Sequence, residues 1–245
     1  MRLPERILNQ TGSYLLTGQT DENMKEYIVK ITGIERVTHD VKRFRVEKPE
    51  SYRFTPGQAT GVSVNSHELK KKRRSFTFTG LNSDPFLEFT IKIYPEHGGL
   101  TMELDRLLPG DELVIGVPWG AITYRGKGIF IAGGAGITPF LAIFRDLYSR
   151  NELAGNKLIL ANKTRADIIL GEELEGMLGK AFINVLSREK AEGYGFGHIN
   201  EEILRDRIDD LNANFYLCGP PSMMQAMTEI LFRFGVDRKA VTMDM

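Results

Sequence analysis

One cysteine, Cys218, stands among 245 residues. That scarcity excludes a disulfide framework, a multi-cysteine zinc site and an all-cysteine iron–sulfur cluster within this chain. Surplus charge is also missing, with 32 Lys and Arg against 32 Asp and Glu. Up to residue 124 the balance is 17 to 16, and beyond it 15 to 16, so neither half is a basic nucleic-acid face or an acidic tail. No apolar run approaches the roughly 20 residues of a membrane helix. The opening MRLPERILNQ lacks a signal-peptide core, and the expectation is a soluble cytoplasmic protein. The four histidines, His39, His67, His97 and His198, are scattered without metal-ligand spacing, so no metal is assigned. What is present is ordinary for a globular chain, 42% hydrophobic and 26% charged. The length allows one large domain or two of roughly 100–150 residues.

Residues 1–24 show little clean periodicity and read as an N-terminal extension. From Glu26 to about Ile122 the pattern is mostly β. Short strands are predicted at 27–31, 41–46, 60–64, 75–79, 86–93 and 113–117. Turn signals such as Pro56-Gly57, Asn82-Ser83-Asp84-Pro85 and Pro109-Gly110-Asp111 separate them. Six such strands suggest a closed antiparallel barrel. One helix interrupts it near Leu100–Leu108, with Leu100, Leu104, Leu107 and Leu108 on one face.

After Tyr124-Arg125-Gly126-Lys127-Gly128 the rhythm changes. Apolar runs at 129–132, 158–161, 182–186 and 215–218 suit buried parallel strands. They alternate with helical patterns at 139–150, 168–178, 200–209 and 222–234. This predicts a doubly wound parallel-sheet α/β domain. The reading is a six-stranded antiparallel β-barrel domain over 1–124, followed by a nucleotide-binding α/β domain over 125–245.

Four local patterns carry chemistry. Ile131-Ala132-Gly133-Gly134-Ala135-Gly136-Ile137-Thr138-Pro139 ends a strand in glycines and opens a helix, with Thr138 as N-cap and Pro139 at its first position. Such a turn lets backbone approach a pyrophosphate and offers helix N–H donors to it. Proline replaces the last glycine of the usual G-x-G-x-x-G, and a tight turn that binds nothing is the alternative. Tyr216-Leu217-Cys218-Gly219-Pro220-Pro221 closes the last apolar strand on the same sheet edge. The Cys218 thiol there either borders a ligand or is a small buried hydrophobe. Arg73-Arg74-Ser75-Phe76-Thr77 lies on a barrel strand, with Arg74 and Phe76 on one face and Ser75 and Thr77 on the other. Arg74 suits a phosphate and Phe76 a flat ring, or the pair is a solvated arginine beside a core phenylalanine. Gly98-Gly99-Leu100-Thr101, at the start of the barrel helix, is a second anion site or a simple turn.

Taken in order, Arg74-x-Phe76-Thr77, Gly98-Gly99-Leu100-Thr101 with Leu104 and Leu107, Pro109-Gly110-Asp111, Gly133–Pro139 and Cys218-Gly219-Pro220-Pro221 resemble the ferredoxin–NADP reductase family over roughly residues 26–245. The resemblance implies a flavin-binding barrel joined to an NAD(P)-binding domain, with the flavin ring between them. It implies FAD rather than FMN. Arg74 would hold the flavin phosphate with the Gly99–Thr101 backbone and the Thr101 hydroxyl. Phe76 would take the ring-stacking position, where the family usually has tyrosine, and Thr77 would lie near flavin N5. The cofactor-binding set further includes Ser75, Ile91, Lys92, Gly98 and Leu100. Gly134, Gly136, Thr138 and Pro139 would line the dinucleotide pyrophosphate, Cys218 and Gly219 would border the nicotinamide, and Pro220 belongs to the same cofactor-binding set. Thr77, Cys218 and Asp244 form the implied catalytic set. Asp244 stands where the family commonly carries glutamate, and Met245 where some members end in an aromatic residue.

The second α/β strand ends Ala161-Asn162-Lys163-Thr164, without the ribose-binding acid of NAD-specific sites. Ser187-Arg188-Glu189-Lys190 follows the third and suits a 2′-phosphate, so NADPH is expected and NADH is the alternative. The implied enzyme is an NAD(P)H-dependent flavoprotein reductase that passes single electrons to a separate ferredoxin or flavodoxin. The alternatives are the reductase component of an oxygenase, a free-flavin or ferric reductase, and a non-catalytic nucleotide-binding subunit. Lys70-Lys71-Lys72-Arg73 is either a solvated loop or a docking patch for an acidic carrier.

Overall fold

Alternation along the first long strand of the barrel fixes which side chains face inward. In the computed structural model, which describes residues 6–8, 14–16, 25–120 and 122–243, this strand runs Tyr27–Thr38 and buries Val29 and Ile31. It is β3, because Arg6–Leu8 (β1) and Tyr14–Leu16 (β2) pair antiparallel before it within the N-terminal extension. The strand outruns the predicted 27–31. Its pairing register with the next strand slips at Thr32, so alternation breaks after Ile31 and the second half lacks a period-2 signal.

The remaining barrel strands are β4 (Val41–Glu47), β5 (Ala59–Val64), β6 (Arg74–Thr77), β7 (Phe86–Lys92) and β8 (Glu112–Ile115). They form one antiparallel sheet in the order β6-β5-β8-β3-β4-β7. The edge strands β6 and β7 meet through a bridge between Phe78 and Phe89 and through the Thr79 amide, which donates to the Glu88 carbonyl at 2.9 Å. Inside, Phe54 stacks on Phe78 with ring centroids 4.2 Å apart, against Phe44, Phe89 and Tyr52. Each fully buried ring of this kind contributes about 1.5–3 kcal/mol.

The barrel helix, α1, spans Leu100–Asp105 and stops short of the predicted Leu108. Leu100 and Leu104 are buried, whereas Leu108 is 68% exposed and does not share their face. Pro109 disfavours helical backbone at Leu108, and the Leu108 amide instead donates to the Asp111 carboxylate at 2.8 Å.

The second sheet is wholly parallel. It contains β9 (Gly128–Gly133), β10 (Lys157–Asn162), β11 (Phe182–Leu186), β12 (Gly195–Phe196), β13 (Asn214–Cys218) and β14 (Val241–Met243), in the order β12-β11-β10-β9-β13-β14. Helices α2 (Thr138–Ser149) and α3 (Gly171–Leu178) cover one face, packing on Phe130, Leu158 and Leu160. Helices α4 (Glu201–Arg207) and α5 (Pro221–Arg233) cover the other, packing on Ile129, Ile131, Ile159 and Leu217. Strand addition runs one way from β9 through β12 and then restarts on the other side of β9 with β13. The carboxyl ends of β9 and β13 therefore flank the switch point, where open α/β sheets bind ligands. Val37, Val41 and Ile122 of the barrel region pack into the same cluster as α2, so the two domains share apolar contact.

Candidate active site

At the end of β9 the chain makes a 3-10 turn, Gly134–Ile137, that runs straight into α2. Thr138 is consequently the first helical residue, at φ −58°, and not the N-cap expected from the sequence; Ile137 takes that position. The extra turn starts helical backbone earlier than the Thr-Pro signal indicated. The turn has no side-chain cap, and the Thr138 amide at the start of α2 already donates to the Ala135 carbonyl, so the donors open to another acceptor are those at the start of the glycine turn.

The loops after β9 and β13 interlock. A Cβ on Gly136 would lie 2.2 Å from the Cys218 carbonyl oxygen, and one on Gly219 would lie 2.6 Å from Met223 Cε. Only Gly134 has φ in the left-handed region within this turn, at +53°, with open space where a Cβ would point. Gly136 thus serves loop-to-loop contact, while Gly134 lies beside open space. Pro139 is buried, Cys218 is half-buried at the last position of β13, and Pro220 caps α5.

The barrel reaches this edge through β6. Arg74 and Ser75 are exposed, Phe76 is half-buried against the barrel core, and Thr77 is buried. The Thr77 hydroxyl donates to Thr138 Oγ1 at 2.9 Å, and the Thr138 hydroxyl donates on to the Ala135 carbonyl at 3.0 Å. This chain of hydroxyls joins the end of a barrel strand to the glycine turn of the other domain.

The other sequence-derived positions lie on other elements. Gly98 adopts a left-handed conformation, Gly99 caps α1, Leu100 is buried, and the Thr101 hydroxyl accepts from the Tyr94 amide at 3.3 Å. Ile91 is a core side chain, so only its backbone can face a ligand. The Lys92 ammonium is held by Asp40 at 2.7 Å. Ser187 and Arg188 follow β11, their amides donating to the Asn162 and Lys163 carbonyls at 2.9 and 2.8 Å. Arg188 is exposed. The neighbouring Glu189 carboxylate is occupied by the Arg165 amide and guanidinium, which hold its carboxyl below the usual range. Lys163 is exposed like Arg188, and the Lys190 ammonium lies over the Phe196 ring. Asp244 lies outside the described residues.

Two features were not read from the sequence. His39 comes together with Asp40 and Asp167 across the domain boundary despite the scattered spacing of the histidines. Lys92 already supplies a cation to Asp40, and Asp167 caps the 3-10 turn that follows Thr164. The second feature is Arg145 of α2, which bonds the Thr79 carbonyl and the buried Glu88 of the barrel at 2.6 Å each. Its other nitrogens bond Glu173 of α3 at 2.5 and 2.8 Å. Burial raises the Glu88 carboxyl, but Arg145, Arg43 and the Thr79 hydroxyl outweigh it and hold the group below its ordinary value. A lone arginine in the apolar run Phe140–Leu147 and a lone glutamate in Phe86–Ile93 were the available signals.

Two family models match the chain in sequence. Residues 28–124 match the oxidoreductase FAD-binding domain, and residues 130–229 match the oxidoreductase NAD-binding domain. The chain belongs to the ferredoxin/flavodoxin–NADP reductase-like superfamily. It is an NAD(P)H-dependent flavoprotein reductase. The reductase component of propane 2-monooxygenase from Rhodococcus jostii (strain RHA1) is 27% identical over 256 residues, covering 97% of this chain and 67% of that protein. NADH-cytochrome b5 reductase 2 from Botryotinia fuckeliana (strain B05.10) is 29% identical over 226 residues, covering 82% and 63%. The chain thus spans about two thirds of the length of these two curated relatives. In fold it is similar to a ferredoxin NADP+ reductase from Neisseria gonorrhoeae with bound FAD and NADP, at a TM-score of 0.79 and 19% identity over 90% of this chain and 98% of that one. Among the described residues, no helix is long and apolar enough to cross a membrane.

The residues of the junction fit the two cofactors that these domains bind. An exposed guanidinium, a half-exposed aromatic ring and a hydroxyl lie along β6, and the hydroxyl meets the helix that the glycine turn opens at the switch point.

Proposed function

We propose that this reductase takes a hydride from NADPH, with NADH as the alternative, and passes the electrons singly to a separate carrier protein. The observation that carries this reading is the 2.9 Å contact between Thr77 and Thr138. Bound FAD supplies the chemistry that side chains lack, accepting two electrons together and releasing them one at a time. The protein's part is placement, because reacting atoms must come within roughly 3–3.5 Å of each other.

In this reading Arg74 holds the flavin phosphate with the Gly98–Thr101 backbone, and the backbone at Ile91 and Lys92 lies alongside. Phe76 offers a ring face and Thr77 a hydroxyl to the flavin ring. Gly134, Gly136, Thr138 and Pro139 line the nucleotide pyrophosphate, and Cys218, Gly219 and Pro220 wall the nicotinamide. Ser187 and Arg188 take the 2′-phosphate, helped by the neutralised Glu189. The domain break falls between 124 and 125, and the protein works in the cytoplasm.

Lys70, Lys71 and Lys72 are exposed and lead directly into β6. Positive charge so placed steers an acidic ferredoxin or flavodoxin toward the flavin end of the barrel. The similarity to the propane 2-monooxygenase reductase component over 97% of this chain favours one second reading, a reductase component whose acceptor is an oxygenase.

The test is an anaerobic titration of FAD-loaded protein with NADPH and then NADH, following the visible flavin band. Near-stoichiometric bleaching by one nucleotide supports the reading and names the donor. No bleaching by either overturns it. Carrier reduction that falls steeply with salt supports the acidic partner, and salt-independent turnover removes it.

A further inference from the structure

We infer that Arg145 is a positioning residue for hydride delivery, clamping α2 to the flavin barrel so that the junction between Thr77 and Thr138 keeps its spacing. The inference rests on the reductase reading above and assigns a role to a residue outside the cofactor-binding set.

Thr138 and Arg145 are seven residues apart on α2, two turns along the same face and about 10.5 Å along the axis. Both reach the same stretch of the barrel. Thr138 meets Thr77, and Arg145 meets the carbonyl of Thr79, two residues further along the chain. One contact alone is a pivot about which α2 can swing. Two contacts fix its direction as well as its distance.

The second contact is built to be stiff. The Glu88 carboxylate is buried and approached from several sides, with Arg145 Nη1 at 2.6 Å, Thr79 Oγ1 at 3.1 Å and Arg45 Nε at 3.4 Å. Arg145 Nε and Nη2 grip Glu173 as a fork, which ties the clamp back into α3. The guanidinium therefore bonds three residues at once, Thr79 just beyond β6, Glu88 on β7 and Glu173 on α3. A lysine, with a single ammonium, cannot reproduce that fork. The nearby packing of Val37, Val41 and Ile122 holds the domains together, but apolar contact is non-directional and does not set orientation.

The test compares FAD-loaded wild type, Arg145→Met, Arg145→Lys and Glu88→Gln. Anaerobic stopped-flow with whichever nucleotide bleaches the wild type, in protiated and 4-deuterated forms, gives the limiting reduction rate and its isotope effect. A misplacement of about 1 Å costs on the order of 10²-fold, so Arg145→Met should lower the limiting rate by roughly 10–10²-fold. The half-saturating nucleotide concentration should stay within about threefold, since ground-state binding is untouched. FAD content should be unchanged and the isotope effect larger, with Arg145→Lys intermediate. Hydrogen exchange without nucleotide should quicken at residues 76–80 and 134–142 and not in the core of either sheet. If Arg145→Met does not fold, Arg145→Lys and Glu88→Gln carry the same comparison. A limiting rate and isotope effect within about twofold of wild type overturn the proposal, even where exchange quickens, because the clamp is then structural only. A wild type that neither nucleotide bleaches refutes the reductase reading itself, a result distinct from failure of the clamp.

Discussion

Thr77 and Thr138 lie 2.9 Å apart, hydroxyl to hydroxyl, although one ends a barrel strand and the other opens a helix of the α/β domain. Because Thr138 donates onward to Ala135, the contact continues into the glycine turn at the switch point. A ligand held along β6 and a ligand held by that turn must therefore meet at one junction. Hydride transfer requires such a meeting, and neither domain provides it alone.

Arg74→Ala should strip flavin and leave the fold nearly intact. Arg74 is exposed, and no ion pair ties it among the described residues, so its loss should change stability by no more than about 0.5 kcal/mol. A flavin phosphate held by Arg74 would be bound by a charge-assisted contact that no other side chain of β6 could replace. The ratio of visible to ultraviolet absorbance after gel filtration, read beside a urea melt, separates the two effects. Full flavin occupancy in the variant would show that the phosphate is held elsewhere.

Arg188→Ala should raise KM for NADPH roughly tenfold or more and barely change that for NADH, since a charged hydrogen bond is worth about 1.5–3 kcal/mol. The argument is local. Arg165 already neutralises Glu189, and Arg188, exposed just after β11, has no ion pair among the described residues. Steady-state kinetics with both nucleotides decide it, and equal effects on the two would move the 2′-phosphate away from this loop.

Much of the fold is legible locally. Barrel strands announce themselves by alternation and the α/β strands by short apolar runs, because each is a repeat of burial along the chain. The second half of β3 escapes this reading, since the slip at Thr32 destroys its period. β12 and β14, at two and three residues, are too short to show any. The site divides in the same way. Arg74, Phe76, Thr77 and the two glycine-bearing loops are contiguous motifs. Arg145, Glu88 and Glu173 are a single unit only after β7, α2 and α3 have packed, and nothing in their spacing joins them.

Gly136→Ala should destabilise the protein and weaken nucleotide binding together. The added methyl would sit 2.2 Å from the Cys218 carbonyl oxygen and 2.5 Å from its carbon, and both are backbone atoms that cannot rotate aside. Overpacking of this kind costs about 1–3 kcal/mol. Urea midpoints and a nucleotide titration on the same preparation check both halves. A variant that lost binding with unchanged stability would mean that the position serves the ligand and not the contact between loops.

The buried Glu88 predicts a particular acid response. Its folded carboxyl is held below the ordinary value, because Arg145, Arg43 and the Thr79 hydroxyl together outweigh its burial. A depressed folded pKa means that the unfolded chain takes up the proton first as pH falls. The ionised group therefore contributes its full stabilisation above the unfolded value, about 4.3, and loses it as pH drops through the folded one. Glu88→Gln removes that titration and retains an oxygen for Arg145 and Thr79. It should be less stable than wild type at pH 7, because the largely buried Arg145 guanidinium loses one of its two counter-charges and keeps only Glu173. The gap should then narrow as pH is lowered from about 5 through the folded value of Glu88, as wild type itself becomes protonated. Urea melts of both proteins across that range measure the difference directly, with every other carboxylate common to the two. A gap that stays constant with pH would mean that Glu88 titrates alike in the folded and unfolded chain, and one that widens as pH falls would mean that the native carboxyl is held protonated.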